Sequence, residues 1–292
     1  MKLSILHLIY QTSIFYWIGK HISPKTLFHI CRGIVSLSIR FNPHTKRYLE
    51  PLRSVLAPHI NGERLRNIAE MHLVYRRYLD NLPYAWRQWS LNGRYIFRAE
   101  GEEHVREALA QGRGVILLSS HNFGVTRLIP SVMSRLGHRV IRVGAWDRQE
   151  IIRRWGSEAE RAWEQLHLGA DAWARLRVAK QIAKALRENS LVFMSIWNRS
   201  SGSPAQAVRF FNQRFFIDAT TMKLCAELKA PVLPCFALCD DKGEINLIIH
   251  APLTGAVSEM SESYCKLLSR YLTDYPEFCR FWKPLLQKRE QW

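Results

Sequence analysis

GVILLSSHNFGVTR, residues Gly114 to Arg127, decides the fold. Val115 to Leu118 is a short apolar run between Gly114 and the pair Ser119 and Ser120. That is the pattern of a strand buried on both faces in a mostly parallel sheet. The run ends at His121. Asn122 and Gly124 are turn formers, and Val125 and Leu128 open a helix. The stretch therefore sets an imidazole where a core strand leaves the sheet. In open α/β sheets that carboxyl edge is where ligands bind, and a neutral imidazole there can take a proton from a hydroxyl. A His that merely caps the strand end fits the same letters, so the stretch alone leaves both readings open.

Working outward, Gly101 to Gly114 reads as a short helix closed by Gly112 and feeding directly into the strand. After the turn, a helix through Ile129 and Met133 ends at Gly137. His138 to Gly144 is a second strand with Arg142 at its end, and Ala145 to Leu166 is helical and rich in charge. The helix from Asp171 to Glu188 sets Leu176, Ala179, Ala183 and Leu186 on one face and carries basic residues elsewhere, either a solvated surface or one drawn to anionic lipid. Leu191 to Trp197 is a third buried strand, followed by a polar loop, Asn198 to Pro204. Val208 to Asp218 is a β-hairpin turning at Asn212 and Gln213, and Thr220 and Thr221 open a helix. Ala230 to Leu238 is a fourth strand, Asp240 to Gly243 a hairpin turn, Ile245 to Leu253 the returning strand, and Ser261 to Thr273 a closing helix. Strands alternating with helices predict an α/β fold: a central, mostly parallel mixed sheet flanked by helices. The predicted division is 1–95, an N-terminal helical, membrane-associated region, and 96–292, the α/β domain.

The 292 residues allow one large α/β domain or one domain plus a helical extension, and 47% hydrophobic content is ample for a core. Lys and Arg number 42 against 25 Asp and Glu, a formal charge of +17, which predicts an anionic partner. No zinc finger, RNA-recognition signature or lysine tail is present, so nucleic acid is not expected. None of the six cysteines forms a CxxC pair, and several sit inside apolar runs, which points to a reducing compartment and no structural metal. Without a glycine-rich phosphate loop, no cofactor is implied.

Leu3 to Gly19 is apolar and aromatic, flanked by Lys2 and Lys20, with no small-residue cleavage site after it. It is a little short for a span of ~20 residues. Leu3, Leu6, Tyr10, Ile14 and Trp17 oppose Ser4, His7 and Gln11 at helical spacing, so the reading is a helix lying in the membrane interface. A single transmembrane anchor and a helix packed on the protein's own core are the alternatives. Pro24 to Trp89 reads as short helices broken at Pro43, Pro51 and Pro58, with Tyr75, Tyr78, Tyr84, Trp86 and Trp89 amid arginines, fitting either an interface or a core.

Helix, glycine turn, apolar strand and His121 together resemble the lysophospholipid acyltransferase superfamily, in its lipid A late (lauroyl/myristoyl) acyltransferase branch. The resemblance runs from about Gly101 to Lys283. Val208 to Asp218 is similar to that family's Phe-Phe-Gly-x-Pro element, with Asn212 in place of Gly; Ala230 to Leu238 matches its strand; Pro276, Glu277, Trp282 and Lys283 match its closing segment. The resemblance implies that His121 is the catalytic base. It implies substrate binding by Asn122, Arg142, Asn198, Arg199, Phe211 and Glu277. It further implies a carrier-protein or coenzyme A thioester as acyl donor and an anionic lipid acceptor. It also implies action at the cytoplasmic face of the inner membrane.

One departure matters. The family carries a carboxylate five positions after its His, where this chain has Thr126. That carboxylate orients the imidazole and stabilises its charged form. Thr126 acting through its hydroxyl, a distant acid among Asp147, Glu150, Asp218 and Glu277, or an aminoacyl (glycyl) rather than acyl transfer would each account for the change. Loss of catalysis, leaving a lipid-binding protein, is the remaining reading.

Overall fold

A computed structural model of the chain describes residues 17, 21–41, 61–75, 97–120, 123–144, 164–167, 172–196, 205–210, 213–240 and 243–279. In chain order these hold α1 (Pro24–Phe41), α2 (62–75), β1 (Phe97–Glu100), α3 (Glu102–Ala110), β2 (Val115–Ser120), α4 (Ile129–Arg135), β3 (Val140–Gly144) and β4 (Glu164–His167). Then follow α5 (Ala172–Arg187), β5 (Leu191–Ile196), β6 (Ala205–Phe210), β7 (Gln213–Asp218), α6 (Ala219–Leu228), β8 (Val232–Cys239), β9 (Ile245–Ile249) and α7 (Val257–Asp274).

β2 sits at the centre of a seven-stranded sheet ordered β1-β9-β8-β2-β5-β3-β4. All six of its residues are buried. β8, β2, β5, β3 and β4 run parallel, while β9 pairs antiparallel with β8 and β1 runs with β9. The ends of the five parallel strands thus share one carboxyl edge. Two glycines set this geometry. At Gly114, φ is +64° and a Cβ would lie 2.7 Å from Leu186 Cα, so only glycine lets the end of α5 approach the start of β2. At Gly124, φ is +69° and a Cβ would run into the Ala237 carbonyl of β8.

α1 and α2 share the core with the sheet. Phe28 and Val35 of α1 and Val74 and Tyr75 of α2 are buried in the same apolar cluster as Val115 to Leu118. The Tyr75 ring lies 5.8 Å from Phe28 and 4.1 Å from Phe278, and its hydroxyl donates to the Cys239 carbonyl at 3.0 Å. Tyr75 is therefore a core residue whose polar tip finds a partner at the end of β8. The other aromatic residues up to Trp89, the prolines at 43, 51 and 58, and nearly all of Leu3 to Gly19 lie outside the described residues. Among the described residues, no helix is long and apolar enough to cross a membrane.

Several local expectations shift. The end of the predicted helix Ala145 to Leu166 is strand: Glu164 to His167 pairs in parallel with β3, because the exposed edge of β3 supplies backbone partners that outweigh local propensity. The inward face of α5 is Val178, Ile182, Ala185 and Leu186; Leu176 is 46% exposed. The register of four carries the stripe through Ile182 and leaves Leu176, two residues before Val178, on the far side. Gln213 pairs with Phe210 and so belongs to the strand rather than the hairpin turn. β2 extends through Ser119 and Ser120, which pair with Ser195 and Ile196. α7 starts at Val257, a turn before Ser261, because Glu259 in its first turn accepts the Ala256 N–H at 2.7 Å.

All six cysteines are free thiols, five of them buried. Burial pushes Cys225 and Cys265 up to about 12, so both remain protonated and behave as small apolar side chains.

Candidate active site

The turn that leaves β2 is held by backbone bonds on two sides. Val125 N–H donates to Ala237 of β8 at 2.7 Å, and Gly124 N–H donates to Phe278 at 3.2 Å. Phe123 also forms an antiparallel bridge with Cys279. Its ring is buried 5.8 Å from Phe236, 6.0 Å from Tyr271 and 6.3 Å from Phe278, in edge-on arrangements. Both flanks of the His121–Asn122 pair are therefore fixed: Ser120 by the sheet, Phe123 by this aromatic nest. His121 and Asn122 themselves lie outside the described residues, as do Asn198, Arg199 and Phe211.

Thr126 is buried, and its Oγ1 lies 2.8 Å from the Ser120 carbonyl and 2.7 Å from the Phe123 carbonyl. A hydroxyl has one hydrogen to donate, and both neighbours are pure acceptors, so that hydrogen serves the backbone. Thr126 braces the two residues that bracket His121; its oxygen keeps only acceptor capacity for anything else.

Arg142 lies two strands away along the same edge. β5 stands between β2 and β3, and Arg142 pairs in register with Phe193 of β5 and Gln165 of β4. Its Nη1 approaches Gln165 Oε1 at 3.4 Å. Gln165 Nε2 in turn donates to the carbonyls of Gly144 at 3.3 Å and Leu166 at 3.2 Å. Burial pulls the guanidinium down to about 10, which still leaves it charged at neutral pH.

Glu277 sits in a 3₁₀ turn, Pro276–Phe278, immediately before the residues that clasp the β2 turn. Its carbonyl accepts from His72 Nδ1 at 3.0 Å, which ties α2 to the same place. Burial raises the Glu277 carboxyl, against which its own backbone bond and the Arg64 charge pull downward. Asp218, another acid considered from the sequence, is the last residue of β7 and pairs with Ala205; Asp147 and Glu150 lie outside the described residues.

The structure thus brings Thr126 and the Glu277 segment to the β2 turn and places Arg142 farther along the same edge. The sequence reading missed Gln165, hidden in a stretch read as helix, and the serines Ser119 and Ser195. A signal for the serines was present: VILLSS and LVFMSI each carry Ser at the fifth position, and these two residues pair in register. Among the described residues, no group of His, Cys, Asp and Glu could hold a metal ion.

No curated protein matches the chain. The sequence profile of the bacterial lipid A biosynthesis acyltransferase family matches residues 2–272, nearly the full length. The match covers well over half of the chain, and the chain belongs to the bacterial lipid A biosynthesis acyltransferase family.

Proposed function

We propose that this acyltransferase moves an acyl group from a carrier-protein or coenzyme A thioester to a hydroxyl of a phosphorylated glycolipid such as lipid A, or of a lysophospholipid. The observation that carries the reading is the β2 turn, a rigidly held site at the carboxyl edge with His121 between its two fixed flanks. His121 takes the proton of the acceptor hydroxyl, and the oxygen attacks the thioester carbonyl. The tetrahedral intermediate collapses with cleavage of the C–S bond, and the leaving thiolate recovers the proton from the imidazolium.

The imidazolium needs a stabilising partner. Thr126 stands where the family's carboxylate would, and its hydrogen is turned to backbone carbonyls. Glu277 is the acid we assign to this role, because its segment is bonded directly to the turn. Glu277→Gln should then lower turnover by about 10² to 10⁴, the usual worth of positioned proton transfer, with the fold retained. Retention of full turnover would remove Glu277 from the mechanism.

A second reading, transfer of an aminoacyl group such as glycine from a carrier protein, is favoured by Thr126 itself, since the usual carboxylate is replaced. Mass spectrometry of total lipids from cells with and without the protein separates the two by the mass added. An unchanged lipid profile would indicate a lipid-binding protein without catalysis.

Action at the cytoplasmic face of the inner membrane is supported by α1. Ile30, Ile34 and Leu37 are 44%, 51% and 60% exposed and recur at helical spacing, and Trp17 is 57% exposed. Such an outward apolar stripe on a chain of charge +17 suits an anionic bilayer surface. Fractionation checks this: the protein should pellet with membranes, and release by salt alone would assign attachment to charge rather than insertion.

A further inference from the structure

α5 crosses from β4 back to β5, two strands that run parallel to β2, so the helix runs against them. Its last turn meets the start of β2, where Leu186 crowds Gly114. Its first turn therefore stands at the carboxyl edge, the edge that carries the β2 turn. The inward face of α5 belongs to the core, with Val178, Ile182, Ala185 and Leu186 buried.

The outward face has two parts. At the carboxyl edge, Trp173 is 76% and Leu176 46% exposed. Beyond them Arg177, Lys180, Lys184 and Arg187 follow at intervals of three and four residues, all exposed. At 3.6 residues per turn these six side chains fall within an arc of about 100°, and the four cations span about 15 Å of helix. α5 contains no acidic residue. Lys184 lies 3.8 Å from Glu188, just past the helix end. Among the described residues, no carboxylate pairs with Arg177, Lys180 or Arg187. Like charges three and four residues apart repel one another and weaken a helix, a cost that an anionic partner removes.

We propose that this face is the docking surface for an acidic carrier protein, which meets Trp173 and Leu176 at the edge and the row of cations along the flank. Docked there, the carrier sends its thioester arm along the carboxyl edge to the β2 turn. The proposal rests on the acyl-transfer reading and selects the protein-bound donor over coenzyme A. Two observations favour a folded protein over a bilayer. A helix that lies on a membrane buries its apolar face there. The sheet already covers that face of α5, whereas α1 leaves Ile30, Ile34 and Leu37 outward. The cation row also leads away from the carboxyl edge for about 15 Å, farther than the roughly 8–10 Å over which a bilayer meeting that edge would act on it. Coenzyme A, a small ligand, calls for a concave site rather than a line of exposed side chains.

The test uses full-length protein in detergent micelles for soluble donors and on vesicles for lipid. The probes are a bacterial acyl carrier protein loaded with a fatty acyl thioester, acyl-coenzyme A of the same chain length, and phosphatidylglycerol vesicles. Arg177→Glu with Lys180→Glu reverses two exposed charges, and Arg106→Glu with Lys266→Glu makes the same change in net charge on α3 and α7. The α5 pair should weaken the acyl-carrier protein by about 10- to 100-fold at low salt relative to the control pair, with the fold retained. That loss should shrink as salt is added. The two pairs should behave alike toward acyl-coenzyme A and toward the vesicles. Trp173→Ala should cost about 3- to 10-fold on the carrier alone. Equal affinity of the two pairs for the carrier would overturn the proposal. So would a greater loss of the α5 pair on vesicles, which would assign the face to lipid, or an equal loss on acyl-coenzyme A. If the carrier binds as stated but no acyl group is transferred from any donor, the docking face stands and the acyl-transfer reading falls. Transfer from the carrier with unaltered affinity in the α5 pair has the reverse meaning.

Discussion

The two faces of one sheet, over the same few strands, have been put to different use. On one face Ile141, Val143, Leu166, Met194, Ile196 and Phe236 are buried. Phe236 packs at a tilt against Tyr271 at 4.4 Å and stacks at 6.2 Å on Tyr264, both of α7. On the other face stand Arg142 and Gln165 and, two residues farther along the strands, Ser195 and Ser119. The pleat gives each strand both tasks at once, because its side chains alternate. The apolar face packs into the core, and the other face presents its polar side chains at the carboxyl edge. Stability and specificity should therefore separate by residue parity, and mutations can test that separation.

The largest effect is expected on the apolar face. Phe236→Ala removes a fully buried ring and should cost about 3–5 kcal/mol in denaturant unfolding. It should leave any preference for phosphorylated over unphosphorylated lipid intact in the folded fraction. A loss of that preference would break the division between the faces. Next in size is the brace between them. Thr126→Val keeps the shape but leaves the Ser120 and Phe123 carbonyls without their hydroxyl donor, and about 1–3 kcal/mol of stability should go with it. On the polar face, Gln165→Leu removes the amide's bonds to the Gly144 and Leu166 carbonyls and should cost about 0.5–1.5 kcal/mol, while lowering affinity for the lipid acceptor.

The smallest expected effect is a dependence on pH. His250 sits with its Nε2 2.9 Å from the Tyr271 hydroxyl. Burial first, then the charges of Arg270 and His104, hold it below its ordinary 6.5. A depressed histidine contributes stability above 6.5 that is lost as pH falls through its folded value. Glu277 is raised, so its contribution runs the other way: present at low pH and lost as pH rises through the folded value. Melting temperatures followed across acid pH should show His250→Gln flattening the acid limb. An unchanged acid limb would mean that burial of His250 carries no linkage.

Much of this arrangement was legible in the letters. Val115 to Leu118 announced a doubly buried strand and Gly124 a turn; the close approach of Leu186 to Gly114 and of Ala237 to Gly124 shows only in the fold. Three things were not legible. The strand Glu164 to His167 has one buried residue, Leu166, so its pairing comes from the edge of β3 and not from its own pattern. The serines Ser119 and Ser195 became a pair only once the register between β2 and β5 was fixed, which depends on long-range packing. The contact of α2 with the Glu277 segment through His72 spans 205 residues of sequence and leaves no local trace.

The most direct measurement of the central claim is lipid mass spectrometry on cells producing either the wild-type chain or His121→Ala at equal protein levels. The account predicts a lipid with an added acyl mass in the wild type and its loss, by about 10² or more, in the variant. The same added mass at wild-type abundance in the His121→Ala cells would contradict it.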